Sequence, residues 1–290
     1  MNIFDILVLR EGICRMNILY CGDNNIEKGL IISVISLLQN CIEQLNIYVL
    51  TIDIDEGCIN YKPVSSEVIS YLNQEVKLYN PLNSIELINI TKQFKLCMPL
   101  ANMKTRFTPC CMLRLYADLI DELPDKILYL DNDVICREDM YEFYSRDISE
   151  CELIGVLDYY GSWLFRNDLL RRDYINSGVL LMNLDKIRET GLFDKCRKLC
   201  RDKNMFMPDQ SSINKLSVYK QFADRRYNEQ RKLHSNTVMQ HFTTSFRLFP
   251  WIHMVRVKPW QIDKMHEVLQ LYEYDNILDE YRRFIDKIDN

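Results

Sequence analysis

The apolar run Lys126-Ile127-Leu128-Tyr129-Leu130 ends in Asp131-Asn132-Asp133. In an extended chain side chains alternate, so Asp131 and Asp133 would point to one side and Asn132 to the other. At the carboxyl end of a buried strand in an open α/β sheet, such a pair sits where these sheets bind ligands. Two carboxylates held together repel unless a cation lies between them. A hard divalent ion with oxygen ligands suits the pair and keeps coordination sites free for a diphosphate. The competing reading of the same residues is a solvated strand-end turn rich in Asp and Asn.

Other positions carry chemistry of their own. His241 ends the short strand Val238–Phe242. Beside a carboxylate pair its imidazole suits manganese and similar ions, while a strand-end histidine alone is usually only a hydrogen-bonding group. Arg114 lies among apolar neighbours in Cys110–Leu123, where it can bridge a carboxylate or a phosphate, or form an ordinary structural salt bridge. Asp209-Gln210 follow Pro208 at a helix start. There Asp209 either caps the helix or faces a substrate together with Gln210. Ser177 and Gly178, at the front of an apolar strand, let a ligand approach the backbone. Asp158 ends the strand Leu153–Leu157, and the aromatic stretch Tyr159–Phe165 suits sugar rings or closes a core edge. Tyr227-Asn228 lies in a polar region.

The elements that must position these groups read as α/β. Asn17–Cys21, Leu45–Ile52 and Ile85–Ile90 are strands; Gly29–Asn40 and Ser65–Tyr79 are helices, the second capped by Ser65 or Ser66. This β-α-β-α-β order predicts a parallel sheet with right-handed crossovers. Asp23 and Asn25 then fall just past the carboxyl end of the first strand. Lys92–Thr108 reads as an irregular loop over the site, Cys110–Leu123 as a helix, and Arg137–Tyr144 as a helix start. Asp185 reads as a helix cap.

Composition narrows the function. With 290 residues the chain can bury a large core as one or two domains. A net charge of −5 argues against a nucleic-acid surface. The eleven cysteines include no Cys-x-x-Cys pair, so they predict packed thiols in a reducing cytoplasm rather than a disulfide framework or a zinc ribbon. No stretch approaches the roughly 20 apolar residues of a spanning helix. Residues 1–15 read as an arm the core does not need, and 261–290 as a helical tail whose acidic balance disfavours docking on anionic lipid.

In order and spacing these motifs resemble the retaining glycosyltransferases of family 8, the group of lipopolysaccharide galactosyl- and glucosyltransferases and glycogenin. The resemblance covers about residues 16–260. It rests on Ile18–Asn25, on Arg114-Leu115 ahead of Leu128–Asp133, on Asn176–Leu184, on Asp209-Gln210 and on His241. It implies a GT-A fold with a mostly parallel, Rossmann-like central sheet flanked by helices. A nucleotide-binding half (about 16–135) would merge with an acceptor half (about 136–260). It further implies a UDP-hexose donor, manganese or magnesium, and a saccharide acceptor. By the same resemblance Asp131, Asp133 and His241 hold the metal, and Asp23 and Asn25 contact the uridine. Arg114, Asn176, Asp209 and Gln210 surround the transferred sugar, Asn132 belongs with the donor contacts, and Asp158 touches sugar or acceptor. Gln210 falls nearest the anomeric face; a neutral amide is a poor nucleophile, which favours front-face transfer over double displacement.

One departure stands out. Relatives often follow the late histidine with Gly-x-x-Lys-Pro-Trp, which touches the diphosphate. Here Phe242–Trp251 follows, without that glycine or lysine, so the positive charge falls to Arg247 or to Lys258 in Lys258-Pro259-Trp260. Two other readings remain at this level. A haloacid dehalogenase-type phosphatase also runs an apolar strand into Asp-x-Asp, normally on its first strand. The altered segment also fits a non-catalytic UDP-sugar or glycan-binding module.

Overall fold

The computed structural model describes residues 14–56, 59–104, 109–159, 173–247 and 253–288. Strand β1 (Arg15–Cys21) has Met16, Ile18, Leu19 and Tyr20 wholly buried on both faces, as a central parallel strand requires. Glu27–Asn40 forms helix α1 despite its β-branched residues, because burial outweighs propensity. Its apolar residues cover several faces because it is sandwiched. One side meets the core, and the other meets the carboxyl-terminal helix Asp275–Ile288 through Ile277, Leu278, Tyr281 and Phe284. The tail is thus a packed helix with a buried stripe.

Next come β2 (Gln44–Thr51), a hairpin of β3 (Ile54–Glu56) and β4 (Ile59–Tyr61), helix α2 (Ser66–Tyr79) and β5 (Ser84–Asn89). Ser65 caps α2, its hydroxyl accepting from the Glu67 amide. β1, β2 and β5 are parallel neighbours, as the β-α-β-α-β order predicts. The remaining strands are β6 (Lys126–Leu130), β7 (Val134–Cys136), β8 (Leu153–Leu157), β9 (Ile175–Asn183), β10 (Lys220–Ala223), β11 (Met239–His241) and the separate antiparallel pair β12 (Ser245–Arg247) and β13 (His253–Val255). The main sheet has seven strands in the order β10-β8-β9-β6-β1-β2-β5. Only β9 runs against its neighbours, antiparallel to both β6 and β8.

That single reversed strand builds the site. The carboxyl ends of β6 and β8 both meet the amino end of β9. The Asp131 amide donates to the Gly178 carbonyl, and the Asp158 amide to the Tyr174 carbonyl, each at 2.8 Å. Residues just past two strand ends thereby flank Asn176-Ser177-Gly178. A second pairing brings in the late histidine: β11 lies antiparallel to β7, with His241 opposite Val134, and the Phe242 amide donates to the Asp133 carbonyl at 3.0 Å.

The helical stretch expected at Cys110–Leu123 is present as a 3₁₀ helix over Pro109–Leu119, which eclipses residues three apart and puts Cys111 and Arg114 on one side. Three local expectations are corrected. Lys92–Thr108 is less irregular than expected, with a helix at Thr91–Leu96 and a 3₁₀ turn at Leu100–Asn102. The helix expected from Arg137 begins only at Tyr141. Asn183, not Asp185, caps Leu184–Thr190, accepting from the Lys186 amide, because β9 ends two residues earlier than a cap at Asp185 would need.

Candidate active site

The acidic pair does not converge by strand alternation. β6 stops at Leu130, and the Val134 amide donates to the Asp131 carbonyl at 3.1 Å, so Asp131–Val134 is a β-turn. The turn, with β11 stitched alongside, delivers both carboxylates to one imidazole. His241 Nε2 lies 3.5 Å from Asp131 Oδ2 and 3.2 Å from Asp133 Oδ1. One ligand atom from each of the three residues falls within 4.8 Å of the other two. Gly178 makes room for them. A Cβ there would lie 2.1 Å from His241 Cε1 and 2.9 Å from Asp131 Oδ2. Two carboxylates and an imidazole are a donor set that suits a divalent ion of the manganese or magnesium kind.

Lys258 closes this end of the site. Its ammonium pairs with Asp133 and donates to the Phe242 carbonyl at 2.9 Å. Burial alone would raise the Asp133 carboxyl; Lys258 and His241 outweigh it and hold Asp133 well below the usual carboxylate range. Of the two residues that can replace the missing lysine, Lys258 therefore reaches the acids. The Arg247 side chain lies outside the described residues, as do Tyr160–Phe165 and Pro250-Trp251.

Arg114 bridges to the other end. It is 3% exposed, lies 4.0 Å over the Tyr129 ring, and donates to Asp131 Oδ1 at 2.9 Å and to the Ser177 carbonyl. Its Nε lies 3.4 Å from Asp209 Oδ2. Burial works against its charge, but Asp131, Tyr129 and Asp209 prevail and hold the guanidinium more firmly protonated than usual. Tyr129 donates its hydroxyl to Asp131 Oδ1 at 2.6 Å.

Asp209 and Gln210 lie in the first turn of Pro208–Leu216, and the helix receives no side-chain cap. Asp209 turns instead to Arg114 and accepts from the Ser177 hydroxyl at 3.1 Å. Gln210 accepts from the Ser177 amide at 3.0 Å and donates to Asp158 Oδ2 at 3.0 Å. Asn176 donates to the same oxygen at 2.9 Å. Asn228, passed over in the sequence as part of a polar stretch, joins Asn176 to His241. Its signal was its burial, at 1% exposure, which polarity alone does not disclose.

Asp23, Asn25 and Asn132 gather on the far side of the acid turn. Asp23 opens the 3₁₀ turn Asn24–Ile26 and accepts from both nitrogens of Asn25. Asn132 points away from the carboxylates, donating to the Ile26 carbonyl at 3.4 Å. Arg114 is shared by Asp131 and Asp209, and Lys258 pairs with Asp133.

The family model of Glycosyl transferase family 8 matches residues 17–264. The chain belongs to glycosyltransferase family 8. It is 23% identical to the lipopolysaccharide 1,2-glucosyltransferase of Escherichia coli, over 89% of this chain and 83% of that one. It is also 23% identical to a Haemophilus influenzae protein carrying a provisional glycosyltransferase name, over 73% of this chain but only 63% of the relative. In three dimensions it superposes on the galactosyltransferase LgtC in complex with donor and acceptor sugar analogues, with a TM-score of 0.63 at 16% identity, covering 92% of this chain and 96% of that one. The likeness fixes the architecture as GT-A. Among the described residues no helix is long and apolar enough to cross a membrane.

Proposed function

We propose that this family 8 glycosyltransferase moves a hexose, glucose or galactose, from a UDP-sugar to a saccharide acceptor in a lipopolysaccharide or other cell-surface glycan, with retention of configuration. The observation that carries the reading is the convergence of Asp131, Asp133 and His241 beside the buried group of Arg114, Asp209 and Gln210. Asp131, Asp133 and His241 would hold a manganese or magnesium ion, which when bound offsets charge developing on the diphosphate leaving group. Lys258 brings one further positive charge to that end. Asp23 and Asn25, past the end of β1, receive the uridine, with Asn132 steadying their turn against the acid turn.

Arg114, Asn176, Asp158, Asp209 and Gln210 form the sugar end. Gln210 has both amide atoms engaged, by Ser177 and by Asp158, and Asp209 is held by Arg114 and Ser177. Both Asp209 contacts are to Oδ2, and among the described residues Oδ1 meets only the Cys111 thiol, at 3.7 Å. Gln210, a neutral and doubly engaged amide, is a poor nucleophile, which supports front-face transfer. The acceptor hydroxyl attacks on the face that UDP leaves and gives its proton to the departing phosphate oxygen, while Gln210 stabilises the positive charge on the sugar. Family membership sets aside the phosphatase reading, and Lys258 at the acid pair weakens the case for a non-catalytic module.

The test is titration calorimetry of UDP with and without manganese, alongside a turnover screen of UDP-glucose, UDP-galactose and UDP-N-acetylhexosamines. Asp131→Ala and Asp133→Ala are expected to abolish metal-dependent UDP binding while leaving the fold intact. Unchanged manganese affinity in both variants would remove the metal assignment, and a covalent sugar trapped on Asp209 would remove the front-face mechanism.

A further inference from the structure

We infer that Asn228 is a positioning residue: it sets the tautomer of His241 and ties that imidazole to the sugar end of the site. The inference rests on the metal-centre reading above. Amide and imidazole orientations are usually ambiguous from heavy atoms alone. Here they follow in sequence from groups that have no choice. Asp158 is a carboxylate acceptor, and the Gly178 amide is a pure donor. Asn176 lies between them, its Nδ2 2.9 Å from Asp158 Oδ2 and its Oδ1 2.9 Å from the Gly178 nitrogen. Exchanging its two ends would set oxygen against oxygen and N–H against N–H.

Asn176 Oδ1 can only accept, so Asn228, 2.9 Å away, must present Nδ2 to it. The other end of Asn228 is then its carbonyl, 3.1 Å from His241 Nδ1. Nδ1 must therefore carry the proton. Nε2 faces Asp131 and Asp133 and presents its lone pair to a cation bound between them. All members are nearly closed to solvent, Asn228 at 1%, His241 at 6% and Asn176 at 7% exposure, so water does not easily replace any of these bonds. Asn228 also hands the constraint onward. Asn176 and Gln210 share Asp158 Oδ2, which links the orientation of the metal-side imidazole to the amide nearest the transferred sugar.

Two substitutions separate the two ends. Asn228→Ala removes both bonds. Asn228→Asp keeps an acceptor for Nδ1–H but sets an oxygen against Asn176 Oδ1. The probe is Mn²⁺ alone, titrated into the full chain and followed by the electron paramagnetic resonance of the free ion. Asn228→Ala is expected to weaken Mn²⁺ binding by about 10–100-fold, while Asn228→Asp stays within about threefold of wild type. A residue that only fills space would lower the melting temperature of both without separating their affinities. Because a buried variant can fail to fold, the wild-type chain is measured as well. Nitrogen-15 spectra of the histidine rings with diamagnetic Mg²⁺ are expected to show Nδ1 of His241 protonated. Asn228→Ala binding Mn²⁺ as wild type does, or a bare Nδ1 in the Mg²⁺ complex, overturns the inference while leaving the metal centre standing. A wild-type chain that binds neither ion takes away the metal centre itself, and this inference with it.

Discussion

Two buried arginines, only 3% and 4% exposed, meet at the 3₁₀ segment Pro109–Leu119, Arg114 within it and Arg197 packed against it, and they do different work. Arg197, in the helix Leu192–Asp202, grips the buried Asp118 carboxylate with both terminal nitrogens, reaches the half-exposed Asp194 only at 3.9 Å, donates to the Leu115 carbonyl, and lies 5.4 Å over the Tyr116 ring. Its partner Asp118 has a side chain only 7% exposed. Arg114 lies over a tyrosine too, yet divides itself between Asp131 and Asp209, which come from separate elements. The Asp131 side chain is 25% exposed and shares its outer oxygen with the His241 imidazole. Burial forces an arginine to be paired in both places. What marks a site is a guanidinium shared by carboxylates that keep lone pairs turned toward a common space.

The contrast can be broken at its strongest point first. Arg197→Leu leaves Asp118 buried and alone, and is expected to cost about 3–5 kcal/mol of stability, read from denaturant unfolding, with turnover per folded molecule unchanged. Arg114→Lys keeps the charge, but a single ammonium cannot span Asp131, Asp209 and the Ser177 carbonyl at once. Here the expected outcome is the reverse. Stability moves by less than about 1.5 kcal/mol, and transfer falls about 10–100-fold, equivalent to about 1.4–2.7 kcal/mol at the transition state. Equal losses of stability and equal turnover in the two variants would erase the distinction.

The sequence disclosed one of these arginines and not the other, for a physical reason. Arg114 precedes an apolar strand that runs into Asp-x-Asp, so its neighbourhood could be inferred; Arg197 pairs across 79 positions with an aspartate that no motif marks. The parallel β1-β2-β5 half was legible because turn residues punctuate its apolar runs. The mode of convergence was not. Alternation predicts that Asp131 and Asp133 share a face, but β6 ends at Leu130 and a β-turn joins them instead. The placement of His241 depends on β11 pairing with β7 across a hundred residues, which local periodicity cannot encode. Asn228 stayed hidden because a buried, fully bonded asparagine and a solvated one look alike in sequence.

The smallest and most selective test uses the two tyrosines. Each carries an arginine on its ring, and each donates one hydroxyl bond, Tyr116 to the Cys97 carbonyl and Tyr129 to Asp131 Oδ1. Replacing either by Phe keeps the ring, and with it the stacking, and deletes only that bond. Tyr116→Phe leaves a backbone carbonyl short of a donor and is expected to cost about 1 kcal/mol of stability with no change in Mn²⁺ affinity. Tyr129→Phe leaves Asp131 Oδ1 still held by Arg114 at 2.9 Å, so the fold should lose less than about 1 kcal/mol. With one of its two anchors gone the carboxylate is held less firmly beside His241, and Mn²⁺ affinity should fall about 3–10-fold. Thermal unfolding and Mn²⁺ titration of both variants decide the matter. If Tyr129→Phe destabilises the chain as Tyr116→Phe does while leaving Mn²⁺ affinity untouched, the ring at Arg114 is as purely structural as the one at Arg197.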